Sequence, residues 1–131
     1  MGRDMGAYGF AAVGIGSALG AWLRWALGLA LNASVPNLPL GTLAANLLGG
    51  FLVGAAVEYF SQHTGLPPEL RLLAITGFLG GLTTFSTFSA ESVGLLLRAE
   101  YGWAVLLIGT HLAGSLLLTV AGIHAVRALS G

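Results

Sequence analysis

The sequence predicts an all-α integral membrane protein with four transmembrane helices, and three observations support this fold class. Apolar residues make up 56% of the 131 residues. Only 8% of the residues are charged, which is too few to cover the surface of a soluble core of this size. Four apolar segments, at positions 8–31, 40–60, 70–98 and 103–128, reach the length of about 20 residues that a spanning helix needs. The links between them are too short for a soluble domain, so we expect residues 1–131 to form a single four-span membrane domain.

The composition also excludes several classes of function. The formal net charge is zero, which leaves no basic surface for nucleic acid. Cysteine is absent, so disulfides, thiolate metal sites and cysteine nucleophiles are excluded. The sequence shows neither a cluster of metal ligands nor a nucleophile beside a base, and we do not expect an enzyme. No cleavage pattern follows the short leader that contains Arg3 and Asp4, so we expect the first apolar segment to be retained.

The positive charges give only a weak preference for one orientation in the membrane. In a four-span topology, Arg3, Arg71 and Arg127 lie on one side, and Arg98 lies on the other with Arg24 near the end of the first segment. Two topologies therefore stay open. The chain could insert in one orientation with both termini in the cytoplasm, or insert in both orientations and pair with its inverted copy.

The first segment combines a packing face with a charged residue in an apolar run. Gly16 and Gly20 form the small-xxx-small pattern that allows helices to approach closely. Arg24 is costly inside an apolar segment. It could extend to the interface beside Trp22 and Trp25, or it could face a water-filled vestibule and attract an anion.

The second segment carries a primary amide, Asn46, deep in an apolar run. In lipid its two donor hydrogens and its acceptor oxygen must find partners. Asn46 could join two helices by a hydrogen bond, or it could line a pore and donate to an anion. Glu58, at the end of the segment, is expected to be solvated.

The third segment is the most unusual part of the chain. Positions 76–92 read TGFLGGLTTFSTFSAES, a density of glycine and hydroxyl residues that a lipid-buried helix does not need. Glycine lowers helix propensity, and hydroxyls can bond freed backbone groups, so we expect the third helix to be broken mid-membrane near positions 80–84. Unwound carbonyl groups there would suit a cation. Phe85 and Phe88 follow at helical spacing, with Ser86 and Thr87 between them, and the group could coordinate an ion.

Glu91 follows this stretch and is expected near a pore entrance or bound to a neighbouring donor. A proton-coupling role would be favoured by a second acid nearby, which the segment lacks. In the fourth segment, His111, Ser115 and Thr119 recur every four residues and share one helix face. That face could be a polar track for an ion or a packing stripe of small residues.

Two stretches closely resemble the Fluc (CrcB) family of bacterial fluoride channels. They are GTLAANLLG at positions 41–49 and GFLGGLTTFSTFSAE at positions 77–91, and GSALGAWLR at positions 16–24 is a partial match. The resemblance covers all four segments in order and size. It implies an antiparallel dual-topology homodimer in the bacterial plasma (inner) membrane, a multi-pass protein with two pores that export cytoplasmic fluoride by passive electrodiffusion.

The same resemblance assigns roles to residues of this chain. Asn46 would line the pore, and Phe85 and Phe88 would meet the fluoride ion with their ring edges, where the ring quadrupole is positive. The polar track matches His111 and Ser115, with His111 at a position where family members carry a hydroxyl. A central structural sodium ion would bind backbone carbonyl groups at Gly80 and Thr83 in the broken span, because the C-terminal end of a helix favours cations. The set of expected pore residues is Asn46, Phe85, Ser86, Thr87, Phe88, His111 and Ser115, with Arg24 in the vestibule and Glu91 as a candidate at the pore mouth.

Two other functions are compatible with four spans. A proton-coupled multidrug exporter needs an acid deep in its first span, and positions 8–31 contain none. A non-transporting assembly subunit would leave Asn46 and the hydroxyl-rich third segment unexplained. If His111 lines the track, its protonation would add positive charge and alter conduction between about pH 6 and 8.

Overall fold

The computed structural model describes residues 5–131, and over this range it contains helices and no strands. The leader residues Arg3 and Asp4 lie outside the described residues. The first two spans are α1 (Met5–Leu31) and α2 (Leu40–Gln62). The third span contains α3 (Pro68–Arg71), a π-helical segment (Leu72–Leu79), α4 (Gly80–Leu82) and, after an interruption, α5 (Phe85–Leu97). The fourth span is α6 (Tyr101–Ser130).

Four helical stretches in the described chain are long and apolar enough to cross a membrane, which confirms the predicted number of spans. They are Gly6–Leu31, Leu40–Gln62, Pro68–Leu97 and Tyr101–Ser130. Five ends extend two residues beyond the predicted ends, because the helices continue into flanking residues that hydropathy does not mark.

The short links end in residues that favour helix starts and turns. Pro68 begins α3 at a position where the missing N–H costs no hydrogen bond. Asn32 supports the first turn of α2, because its Oδ1 accepts a hydrogen bond from the Thr42 backbone N–H at 3.1 Å. Between the third and fourth spans, Ala99 adopts a left-handed conformation with φ 59°, and Glu100 N–H donates to Leu95 at 2.9 Å. These contacts keep consecutive spans side by side.

The first span packs backbone to backbone against the third span. A Cβ atom added to Gly16 would lie 2.7 Å from the Phe78 nitrogen, and one added to Gly20 would lie 2.7 Å from the Leu82 nitrogen. A Cβ atom on Gly81 would press on the Ser17 backbone. We call Gly16, Gly20, Gly77 and Gly81 the glycine seam. It fixes the half of the third span that precedes the interruption.

The interruption is shorter than the sequence predicts. Thr83 (φ −86°, ψ 155°) and Thr84 (φ −148°, ψ 117°) are extended, whereas Gly80–Leu82 remain helical. The break was expected near positions 80–84, and the two extended residues lie at the end of that stretch. Gly80–Leu82 belong to the part of the span whose Gly81 is packed against the Ser17 backbone of α1.

The glycine seam gives a direct test of this packing. We expect Gly20→Ala to destabilise the folded protein by about 1–3 kcal/mol, because the added methyl group would overlap the Phe78 backbone. The measurement is the thermal unfolding midpoint in detergent. The matched control is Gly14→Ala in the same helix, where an added Cβ meets nothing within 4 Å. Equal midpoints for the two variants would show that the seam is not close-packed.

Candidate functional site

A cavity of about 400 Å³ opens beside the interruption in the third span. Its walls come from α2, the third span and α6, so it brings together residues that are far apart in the sequence. Among the predicted site residues, those that line it are Asn46, Gly80, Thr83, Phe85, Phe88, His111 and Ser115. Thr84 and Thr119 line it as well.

Asn46 holds the extended backbone at the interruption. The Thr84 N–H donates to Asn46 Oδ1 at 2.8 Å, and Asn46 Nδ2 donates to the Thr84 carbonyl at 3.1 Å. The side-chain amide therefore pairs with both backbone groups of Thr84. Because Thr84 is extended, its N–H and its carbonyl lack helical partners. Leaving these two groups unpaired in an apolar medium would be costly.

His111 takes the remaining hydrogen of the Asn46 amide. Its Nδ1 lies 3.1 Å from Asn46 Nδ2. Both amide hydrogens are thus engaged within the subunit, one at Thr84 and one at His111. The sequence left open whether Asn46 joins helices or donates to an ion. In this structure it joins α2 to the third span and to α6 while lining the cavity.

His111 itself is 3% exposed, and its Nε2 atom is buried with no hydrogen-bond partner among the described residues. The imidazole ring lies against Phe88, with ring centroids 5.0 Å apart. A buried donor without a partner is unfavourable unless a ligand or water completes it. Packing between helices alone therefore does not explain His111, because it leaves this nitrogen without a partner.

The two phenylalanines at the start of α5 have different surroundings. Their ring centroids are 5.6 Å apart. Phe88 is 9% exposed and belongs to a core cluster with Leu95 and Leu107, whereas Phe85 is 75% exposed. One ring is therefore fixed at the wall of the cavity, and the other stands at its open side.

The structure does not place Ser86 and Thr87 on the wall of this cavity. The Ser86 hydroxyl lies 3.3 Å from the Thr84 hydroxyl, and the Thr87 N–H donates to Thr84 Oγ1 at 3.1 Å, which caps α5. Thr87 lines a neighbouring cavity instead. Helical spacing predicted the position of the phenylalanines but could not predict that the Thr84 cap turns these two residues away.

Arg24 is fastened to the third span. Its Nε donates to the Gly81 carbonyl at 3.0 Å. The side chain also lines a cavity of about 310 Å³ together with Asn32, Thr42 and Thr87. Both features fit a charge held inside the protein rather than one extended into the lipid interface.

Glu91 lies in a separate cavity of about 200 Å³, which Arg98 also lines. The Thr42 hydroxyl donates to Glu91 Oε2 at 2.8 Å, while Oε1 is buried and has no partner among the described residues. The predicted neighbouring donor is therefore Thr42, which the sequence analysis missed. Thr42 precedes Asn46 by one helical turn, and that spacing could have revealed it.

The interruption also removes the helical donors of the Gly80 and Thr83 carbonyl groups. In an α-helix the carbonyl of residue i accepts from the N–H of residue i+4. The donors that Gly80 and Thr83 would use are the N–H groups of Thr84 and Thr87, and these bind Asn46 Oδ1 and Thr84 Oγ1. Both residues line the main cavity. Neutral carbonyl oxygens suit a hard cation such as sodium, so the donor set fits the predicted ion. No group of three or more acidic, histidine or cysteine side chains suitable for a metal occurs among residues 5–131.

A family model described as "CrcB-like protein, Camphor Resistance (CrcB)" matches residues 11–123. The chain belongs to the CrcB family. Three CrcB relatives, each named "Fluoride-specific ion channel FluC", align with it over 126 residues, which is 96% of this chain. The protein from Nitrosospira multiformis is 63% identical over 98% of its own length. Those from Cupriavidus pinatubonensis and Cupriavidus necator are 62% and 64% identical over 100% of theirs.

Membership of the CrcB family confirms two predictions. The first is that the chain is not an enzyme, since it belongs to a family whose relatives are named as ion channels. With four helices able to span a membrane, it is a multi-pass membrane protein.

The contact between Arg24 and Gly81 can be tested separately from charge. We expect Arg24→Lys to lower the free energy of unfolding by about 1.5–3 kcal/mol, because lysine keeps the charge but has no N–H at the position of Nε. Thermal unfolding in detergent measures this, with the exposed Arg71→Lys as the control. If both variants unfold at the wild-type temperature, charge alone explains Arg24.

Proposed function

We propose that this protein is a fluoride-selective ion channel that exports cytoplasmic fluoride by passive electrodiffusion. One observation carries the proposal. A cavity lined by hydrogen-bond donors and two phenyl rings lies at the interruption of a membrane-spanning helix, in a chain 63% identical to a protein named "Fluoride-specific ion channel FluC".

The chemistry of the cavity suits a small anion. Fluoride holds its hydration shell tightly, so a selective path must replace water with several close donors. The Ser115 hydroxyl lines the cavity and donates only a long hydrogen bond, 3.3 Å, to the Leu112 carbonyl, so it would be available to an ion. The Nε2 of His111 is an unpaired donor buried beside the cavity wall. The rings of Phe85 and Phe88 can present their positive edges to an anion and offer little to a larger, softer one.

The two helix ends at the interruption favour opposite charges. The N-terminus of α5, at Phe85, points its free N–H groups and positive dipole end towards an anion. The C-terminus of α4, at Leu82, presents carbonyl groups that favour a cation. We propose that the carbonyls of Gly80 and Thr83 hold a structural sodium ion, which would offset part of the cost of these free acceptors.

We further propose an antiparallel dual-topology homodimer with two pores. A single subunit leaves the cavity open and Phe85 three-quarters exposed, although residues around it are polar and lie in a membrane-spanning stretch. A second copy would cover these groups. The near-balance of arginines across the membrane supports insertion in both orientations. The sodium ion would then lie between the copies, with the interruption at mid-membrane depth.

A passive mechanism agrees with the distribution of acids. α1 contains no acidic residue, so a carboxylate that couples protons to export is missing from the first span. Arg24 in its cavity would attract fluoride from water, and Glu91, which binds the Thr42 hydroxyl of that same cavity, would stand near the same mouth of the pore. We place the channel in the bacterial plasma (inner) membrane, where it would lower cytoplasmic fluoride.

Fluoride efflux from reconstituted liposomes tests the function. We expect rapid efflux with wild type and no chloride efflux. Phe85→Ile should slow fluoride efflux by at least about tenfold, the effect of losing about 1.4 kcal/mol at the site. Asn46→Ala should slow it further, because it removes the hydrogen bonds at Thr84 and His111.

The matched control for this test is Phe10→Ile. Phe10 is 85% exposed in α1 and outside the cavity, so its replacement should leave efflux unchanged. Efflux unaffected by Phe85→Ile and Asn46→Ala would remove both residues from the pore. An absence of any anion flux, together with a stable complex with a larger protein, would favour an assembly subunit.

The absence of native cysteine allows a clean test of dual topology. Gly65 lies in the loop between the second and third spans, where an added Cβ meets nothing within 4 Å. We expect a membrane-impermeant maleimide to label about half of Gly65→Cys from outside intact cells, because half the subunits would face each way. Permeabilisation should complete the labelling. Labelling that is complete or absent in intact cells would contradict insertion in both orientations.

A further inference from the structure

The orientation of the Asn46 amide is fixed by the backbone it binds. The Thr84 N–H can only donate and must meet the oxygen, while the Thr84 carbonyl can only accept and must meet the nitrogen. An amide flipped by half a turn would lose both bonds. The atom that faces His111 is therefore the nitrogen Nδ2.

This orientation determines the proton on His111. Asn46 Nδ2 is a donor, so the ring atom 3.1 Å from it, Nδ1, must be an acceptor. The ring is then neutral, with its proton on Nε2. A second proton would place an N–H on Nδ1 directly against an N–H of Asn46.

The ring has little freedom to avoid that conflict. His111 is 3% exposed and lies against the ring of Phe88, itself 9% exposed. The Asn46 side chain is only partly buried, so relief of the conflict would fall on it. Its displacement would release the backbone of Thr84 from the amide that holds it extended.

We infer that His111 is a positioning residue, whose unprotonated Nδ1 holds the Asn46 amide on the interruption of the third span. Proton uptake by Nδ1 releases Asn46 and disorders the pore wall. The inference deepens the proposed function and uses it for one of its two readouts. The inference predicts that low pH decreases the fluoride current. A purely electrostatic effect would do the opposite, because a positive His111 would attract fluoride and increase the current.

Other groups could also impose a pH dependence. Helix α6 packs against α2 and α5. Apart from His111, the titratable and charged groups on those helices and in the link between α5 and α6 are Glu58, Tyr59, Glu91, Arg98, Glu100, Tyr101, His124 and Arg127. Glu58 pairs with Arg127 at 3.3 Å, twelve positions and about 18 Å along α2 from Asn46. Glu91, one helical turn after Phe88, is the acid that needs a control.

The first test is fluoride current across planar bilayers between pH 8 and pH 5. Current is the readout because uncharged hydrogen fluoride crosses lipid without carrying it. We expect the wild-type current to fall by about threefold or more as His111 titrates. In His111→Asn, where the new Oδ1 occupies roughly the position of Nδ1 and accepts without titrating, the ratio of currents at the two pH values should stay near one. Glu91→Gln should keep the wild-type ratio.

Three results would overturn the inference: a wild-type current that is flat or rises in acid, the same fall in His111→Asn, or loss of the fall in Glu91→Gln. The second test needs no conduction. In ¹⁵N-histidine-labelled protein at pH 8, with the signal assigned by its loss in His111→Asn, we expect the Nε2–H tautomer. An Nδ1–H tautomer refutes the inference. If wild type carries no fluoride current at any pH, the proposed function fails, and the tautomer alone decides the role of His111.

Discussion

The pairing of one side-chain amide with one backbone residue is the constraint on which this structure depends. Asn46 satisfies both the N–H and the carbonyl of Thr84, and in doing so allows two extended residues inside a membrane-spanning stretch. In lipid, each unsatisfied backbone group would cost several kcal/mol. Without the amide, the third span would gain by continuing as a regular helix. That change would return the carbonyls of Gly80 and Thr83 to helical hydrogen bonds and remove the start of α5 from the cavity.

The amide can do this only because the backbone on either side is fixed. Before the interruption, the glycine seam places the third span in contact with the α1 backbone, and Arg24 binds the carbonyl of Gly81. After it, the Thr84 hydroxyl caps α5 through the Thr87 N–H. The two hydrogen bonds each satisfy a group that a broken helix leaves free. The cavity is therefore formed by rigid helix ends rather than by a flexible loop, which suits a site that must hold donors at fixed separations.

Much of the fold was predictable from hydropathy, because span length and short links constrain a small membrane protein strongly. The residues at the main cavity were also largely predictable, since polar side chains such as Asn46 and His111 are rare in apolar segments and need a reason to be there. The bonding between them was not predictable. The sequence places Asn46 and His111 on two different helices. It gives neither the register of α2 against α6 nor the orientation of the amide. The exact extent of the interruption depended on Gly81 meeting Ser17, a contact between distant segments.

The sequence left two roles open for Asn46, joining helices or donating to an ion. In the structure both amide hydrogens bind within the subunit, at Thr84 and His111. The remaining donor in this network is Nε2 of His111. It has no partner among the described residues, and His111 is linked to the Thr84 backbone only through Asn46. An anion that took a hydrogen from Asn46 would have to break a bond that keeps the third span open, whereas one that took the hydrogen of Nε2 would complete an unpaired buried donor. The energetic cost therefore leaves Asn46 to hold the passage in shape.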